Sequence, residues 1–347
     1  MKDYVKIAAA HDKRDIERNK LNWDYLVAEG LCPSNLDFPL TLQFELTQNC
    51  NLKCKHCYNA SGVQTFTDKM TPDKWKAFAK YIVDNGGLFQ CILSGGEPLL
   101  LKDNLFDIMD ILHEDGTTFL LITNGMLLSE NIVRRLTKYR FMWLQVSIDG
   151  ANPKRHDSFR GIEGSWEKAV SGAYCVAKYG IPLTIAHSVT PESLEEIDDM
   201  CDLAYRLGAG TIILGEITPS GRTMENQDIL LSYEQKNVLL EAIERNQKKY
   251  AGKMVIERSA NTKLQLLKYQ NSLNTGAIIR PNGDIRMDCM TPFVIGNVLK
   301  EDFKSVWHEK GSTCWNHALV TKYINEMDLH TEMNSNQTNY VDEDILI

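Results

Sequence analysis

No run of apolar residues in this 347-residue chain is longer than a strand, and it contains no long basic run. The first absence excludes a membrane-spanning helix, which needs roughly 20 apolar residues in a row. The second excludes a nucleic-acid partner: Lys+Arg number 38 against Asp+Glu 46, and phosphate binding needs concentrated positive charge. Met1-Lys-Asp-Tyr4 lacks the apolar core of a secretion signal. A regular, even-numbered cysteine framework is missing too. The cysteines number 9, three of them crowded into one short segment, which speaks for a reducing, cytoplasmic setting rather than a disulfide scaffold. A chain of this length buries a large core and exceeds the usual single domain, so one main domain with an appendage is expected.

What stands out instead is Cys50, Cys54 and Cys57, in Asn49-Cys-Asn-Leu-Lys-Cys-Lys-His-Cys-Tyr58, directly after the strand-like Thr41-Leu-Gln-Phe-Glu-Leu-Thr47. Three thiolates at this spacing wrap one face of a metal centre, and cysteines clustered in this way hold iron–sulfur clusters. A [4Fe–4S] cluster takes four protein ligands, so three leave one iron open. An open position is where a small molecule binds and reacts. A structural zinc held by the same thiolates and His56 is the competing reading, although zinc sites usually bring their thiols as paired C-x2-C knuckles.

Strand-like and helix-like runs alternate through the middle of the chain, the pattern of βα units on a parallel sheet. Thr71-Pro72 predicts a helix start, followed by Trp75, Phe78, Ala79 and Ile82 at helical spacing. Leu105, Ile108, Met109 and Leu112 mark a second helix. Ser129 is positioned to cap a third, Ser165 a fourth, and Ile197, Met200, Ala204 and Leu207 mark a fifth. Strands are expected at Phe89–Leu93, Phe119–Ile122, Phe141–Val146, Leu183–Ala186 and Thr211–Leu214. With the first strand they make six βα units, or nearly so.

The cysteine triplet and three further motifs resemble the radical S-adenosylmethionine (SAM) superfamily. Ser94-Gly95-Gly96-Glu97-Pro98 looks like that family's motif for the amino group of SAM; Thr123-Asn124-Gly125 and Ser147-Ile-Asp149-Gly150 sit where the family places SAM contacts, at the C-terminal ends of strands. The likeness covers roughly residues 41–225. It implies a partial (β/α)6 barrel, an α/β fold open on one side, with Cys50, Cys54 and Cys57 on a [4Fe–4S] cluster. It also implies cleavage of SAM to a 5′-deoxyadenosyl radical that abstracts a substrate hydrogen, fed by a flavodoxin- or ferredoxin-type donor. In such barrels reactive groups come from loops at the strand ends. The glycine pair is expected to let backbone approach the ligand, and Glu97 to accept from its ammonium. Arg160, in His156-Asp-Ser-Phe-Arg-Gly161, fits the SAM carboxylate or is a surface arginine capping a turn. His56 and Tyr58 either stack near adenine or pack the cluster loop.

Residues 1–40 read as a helical segment, and the barrel is expected to end near 225, with Thr223–Asp228 as a linker. Ser232 and Gln235 offer a capping box for a long helix. Ala277–Cys289 alternates about a Pro-Asn-Gly turn, a hairpin signal. This region, 226–313, resembles the SPASM/twitch extension of radical SAM enzymes, a small α+β addition of hairpin plus helix, whose members commonly modify ribosomally made peptides. The extension normally carries several cysteines for auxiliary clusters, whereas this chain has Cys289 and Cys314, with Asn274-Thr275 where the first would stand. An auxiliary cluster is therefore not expected, even with His308 and His317 nearby in sequence. Cys289 is then free to act as a hydrogen-atom donor, as thiols do in the superfamily's epimerases, or to be a buried structural cysteine. Residues 314–347 read as an acidic, Asn-rich tail that covers the barrel mouth or is simply solvated.

Three functions follow as expectations. The first is modification of a ribosomally synthesised peptide, by epimerisation or cross-linking, its leader read by a separate protein or by the short terminal segments. The second is dehydrogenation or epimerisation of a sugar or aminoglycoside. The third is a metal-dependent scaffold without enzymatic activity.

Overall fold

The computed structural model describes residues 2–62, 68–332 and 344–347. A helix, α1 (Tyr4–Ala28), comes first. Strands and helices then alternate: β1 (Thr41–Glu45), α2 (Pro72–Asp84), β2 (Gln90–Ser94), α3 (Asp103–Glu114), β3 (Thr118–Thr123), α4 (Glu130–Leu136), β4 (Phe141–Ser147), α5 (Pro153–Arg160), α6 (Ser165–Lys178), β5 (Leu183–Val189), α7 (Ile197–Arg206) and β6 (Thr211–Glu216). The six strands pair in parallel and in chain order, as the alternation predicted, in the α/β partial barrel that the resemblance implied.

The sheet continues in both directions. α8 (Tyr233–Lys249) leads to β7 (Val255–Arg258), parallel to β6. After α9 (Thr262–Gln270) the chain crosses to the opposite edge, where β8 (Gly276–Ile279) lies parallel to β1 and turns into the antiparallel β9 (Asp284–Arg286). β10 (Phe293–Asn297) pairs antiparallel with β9; α10 (Phe303–Val306) and α11 (Ala318–Glu326) follow, and β11 (Ile345–Leu346) lies parallel to β10. Among the described residues the result is one 11-stranded sheet over one continuous apolar core from Leu42 to Met327.

Local chemistry explains the elements. In β1, Leu42 and Phe44 are buried against the helices, with the Phe44 and Trp75 rings 5.0 Å apart. Strand side chains alternate faces, so Gln43 and Glu45 point into the barrel. Thr71 accepts from Lys74 N with Pro72 at the first helical position, Ser129 accepts from Ile132 N, and Ser232 and Gln235 form the reciprocal capping box. Ser165 does not cap α6. Asp157, on α5, does so across space, accepting from Gly164 N, Ser165 Oγ and Trp166 N, each at 2.8 Å.

Two irregular stretches differ from expectation. Thr223–Asp228 is not an open linker: 3-10 turns at Gly221–Glu225 and Gln227–Ile229 bury Gly221, Thr223 and Ile229. Beyond Trp315 the chain is not solvated throughout, because α11 buries Val320, Tyr323 and Ile324. Most of the Asn-rich part of the tail, 333–343, lies outside the described residues.

Replacing Asp157 by Ala should cost about 2 kcal/mol in urea unfolding, the upper range for a lost helix cap, and Ser165→Ala less than half of that. Equal costs for the two would return the cap to Ser165.

Candidate active site

The three cysteines lie on an irregular loop after β1, Cys54 buried and the other two half-buried. Three elements hold the loop. At the end of β2, Gly96 N donates to Thr47 O (2.6 Å) and Glu97 N to Asn49 O (2.8 Å). A Cβ on Gly96 would stand 2.1 Å from Asn49 O, and one on Gly95 2.7 Å from Thr47 O. The glycine pair thus admits the backbone of the cysteine loop at the end of β2.

At the end of α5, Arg160 O and Phe159 O accept from Lys53 N and Lys55 N. The third clamp is Gly221-Arg222-Thr223. Arg222 N donates to Cys57 O (3.0 Å), and its guanidinium donates to Cys54 O (2.8 Å) and Ser61 O (2.7 Å). Thr223 Oγ1 donates to His56 O, and a Cβ on Gly221 would stand 2.3 Å from Cys57 O. The sequence reading missed Arg222. The available signal was a Gly-Arg pair just past a barrel strand's C-terminal end, where functional groups gather.

Burial pushes the Cys50 thiol up to about 12 and raises Cys54 as well, with the neighbouring cysteine charges acting in the same direction. Such thiols ionise when a metal takes the proton's place, so the set suits a cluster. Asn124 Nδ2 donates to Cys50 Sγ at 3.8 Å and to Asn51 Oδ1 at 2.8 Å. An amide is therefore already aimed at one ligand sulfur.

Glu97 is fully buried. Its carboxylate accepts from Leu99 N (3.1 Å), Thr123 Oγ1 (2.8 Å) and Asn124 N (2.9 Å), and burial lifts its pKa to about 7. It ties the end of β2 to the end of β3, while Pro98 starts the buried turn that follows. Ser147 closes β4, half-buried. Asp149 is the hub of the opposite wall, accepting from Arg160 Nε (2.7 Å) and Ser188 N (2.7 Å), with Arg160 Nη2 at 2.6 Å. Against the upward push of burial, Arg160, His56 and His187 hold its carboxyl below the ordinary range. Arg160 is thus neither a surface arginine nor an open fork.

Two histidines join this hub without having been singled out from the sequence. His156 Nδ1 accepts from Asp149 N (3.0 Å), and the fully buried His187 lies 3.9 Å from the Asp149 carboxylate. His56 stacks flat on Phe159, ring centroids 4.5 Å apart, with Nε2 3.9 Å from Asp149. Burial lowers His56 and His156 to about 4, so both rings are neutral near pH 7. Tyr58 turns the other way: its hydroxyl donates to Glu45 Oε1 (2.8 Å), beside the buried Arg280, which donates to Asn59 Oδ1 (2.7 Å).

Cys289 follows β9 and faces a cavity of about 440 Å³ whose wall includes Gln43 and Ile92 of the barrel and Tyr269, Asp288 and Trp315 of the extension. Burial, with Asp288 beside it, raises its thiol well above the ordinary value, and its charge is felt at Tyr58. Cys314 is differently placed. Its thiol donates to Gly311 O (3.4 Å) and accepts from Asn274 Nδ2 (3.6 Å), and burial pushes it up to about 12. His308 is exposed, and His317 accepts from Leu319 N at the start of α11. Among the described residues no three His, Cys, Asp or Glu side chains converge on a single metal ion, and the ring of His56, the fourth ligand of the zinc reading, is stacked on Phe159.

Residues 44–204 match the Radical SAM superfamily, so this stretch of the chain is a radical SAM domain. Such a domain implies a [4Fe–4S] cluster and SAM, and the three-cysteine loop fits the cluster. Among named relatives, the AdoMet-dependent heme synthase of Methanosarcina barkeri is 37% identical over 191 residues, 55% of this chain and 54% of that protein. The antilisterial bacteriocin subtilosin biosynthesis protein AlbA of Bacillus subtilis is 27% identical over 282 residues, 78% of this chain and 60% of that protein. This chain thus spans less than two thirds of either. In three dimensions it resembles Streptococcus suis SuiB, solved with S-adenosylmethionine, with a TM-score of 0.67, 18% identity, and coverage of 97% of this chain and 89% of that one.

Arg222→Ala should weaken cluster retention about tenfold, the effect of losing a group that orients metal ligands. Iron and sulfide bound during a chelator titration measure it, and unchanged retention would remove Arg222 from this role. A second prediction concerns pH. His56 and His156 bind protons less readily folded than unfolded, so the stability their neutral burial permits is full above about 6.5 and is lost as pH falls toward about 4. In His156→Asn the urea midpoint should fall less steeply over that window than in the parent chain.

Proposed function

We propose that this chain modifies a ribosomally synthesised peptide, by epimerising a residue or forming a cross-link. The observation that carries the reading is Cys289, a solitary thiol on a cavity shared by the inner barrel face and the extension. The coverage of this chain by AlbA supports it. A sugar or aminoglycoside substrate is the second reading, favoured by a cavity of small-ligand size.

Cluster and SAM, when bound, supply abstraction of a substrate hydrogen atom. Cys50, Cys54 and Cys57 hold the metal, with Asn124 donating to one sulfur. Gly95, Gly96, Asn124, Ser147 and the Asp149–Arg160 pair form the strand-end shelf assigned to SAM, with His56 on the Asp149 side. The position of the substrate carbon on this shelf decides which hydrogen is lost. For epimerisation, the Cys289 S–H bond breaks as a new C–H bond forms on the opposite face. The sulfur radical left behind takes one electron and one proton to reset, the electron coming from a flavodoxin- or ferredoxin-type carrier. The engaged Cys314 thiol and the Asn274 amide beside it support a single cluster per chain.

In deuterated water with reductant, SAM and the peptide encoded nearest this gene, an epimerised product gains one mass unit. Cys289→Ala should abolish that gain while SAM cleavage persists; full retention of product removes the cysteine from the mechanism. A loss of two mass units assigns the chain to cross-linking or dehydrogenation, and turnover of an aminoglycoside but of no peptide overturns the reading. Reconstituted protein should bind about four iron and four sulfide, and about eight of each would restore an auxiliary cluster.

A further inference from the structure

β10 has β9 on one side, and among the described residues its other edge pairs at two of its five positions, with Ile345 and Leu346. Ile345 N donates to Pro292 O and Ile347 N to Val294 O (3.0 Å). Ile345 is 38% and Leu346 64% exposed, while Ile347 packs against the core and its carbonyl accepts from Lys310 Nζ (2.9 Å). The anchor is Asp344, whose buried Oδ2 lies 2.8 Å from Arg280 Nη1 and 3.6 Å from Arg286 Nε. The fit is incomplete: Asp344 Oδ1 is buried without a hydrogen-bond partner among the described residues. Arg280 also holds Asn59, two residues past Cys57, and lies 3.3 Å from Glu45. An acidic group seated here joins the hydrogen-bonded surroundings of the cysteine loop.

A short strand on an open edge, with one acidic side chain on two buried arginines, is how a sheet recognises an extended peptide: backbone bonds give affinity and a side-chain seat gives choice. We propose that the outer edge of β10, with Arg280 and Arg286, is a docking strip for an extended peptide segment carrying an acidic side chain, and that residues 344–347 occupy it in cis. The inference deepens the peptide reading and rests on it: a substrate, or its leader, displaces the chain's own segment.

The probe is a fluorescein-labelled peptide, Val-Asp-Glu-Asp-Ile-Leu-Ile, followed by anisotropy without turnover. Asp344→Ala in the full chain should bind it about tenfold more tightly than the parent, since a site open a tenth of the time loses that factor in apparent affinity. Adding Arg286→Gln should abolish the gain. In the unaltered chain, excess probe should speed amide exchange at Ile345 and Ile347, a measurement that needs no variant. Equal affinity of parent and Asp344→Ala, binding that survives Arg286→Gln, or exchange unchanged by probe would each overturn the strip. If the probe docks but no peptide is ever modified, the proposed function fails and the strip stands; if a peptide is modified and the probe does not dock, only the strip fails.

Discussion

The three thiols assigned to the cluster sit on a stretch with no helix or strand of its own, so its peptide groups must find partners elsewhere. The rest of the site depends on how that is done. Gly95 and Gly96 close against the loop's entry, Arg160 and Phe159 offer carbonyls to its middle, and Arg222 takes carbonyls at Cys54, Cys57 and Ser61. Strand ends, a helix end and a turn beyond β6 are fixed to one another because each is fixed to the loop. The barrel's curvature is what brings these distant segments to one place.

Behind the loop lies a wall of buried charge. Asp149 and Arg160 are nearly inaccessible and satisfy each other, while His156 and Ser188 tie the aspartate to two further elements. Removing one member of such a buried pair costs about 3–5 kcal/mol, because the other charge is left without compensation. The wall is therefore closed by paired charges where the Cys289 side opens on a cavity.

Much of the fold was legible because its determinants are local. Short apolar strands bounded by glycine, Thr71-Pro72, Ser129 and the Ser232 to Gln235 box all act within a few residues. The start of α6 was misread because the capping group, Asp157, belongs to the preceding helix. The same distinction runs through the site. Cys50, Cys54 and Cys57 declare themselves by spacing, whereas Arg222 acts on Cys54 from 168 residues away, and no sequence pattern links them. Glu97 carries a recognisable motif, yet its partners Thr123 and Asn124 lie on the next strand, so its structural task was hidden. Tail residue Asp344, which reads as solvated acid, reaches a buried arginine pair that only the crossing of β8 to the far edge assembles.

The proposed chemistry requires that the cluster held by this loop have an iron open to SAM. Electron paramagnetic resonance of the reduced, anaerobically reconstituted protein, recorded with and without SAM, tests this most directly. A cluster held by three cysteines should change its spectrum when SAM is added. A spectrum indifferent to SAM would mean that protein atoms enclose the metal on every side, and it would contradict the account.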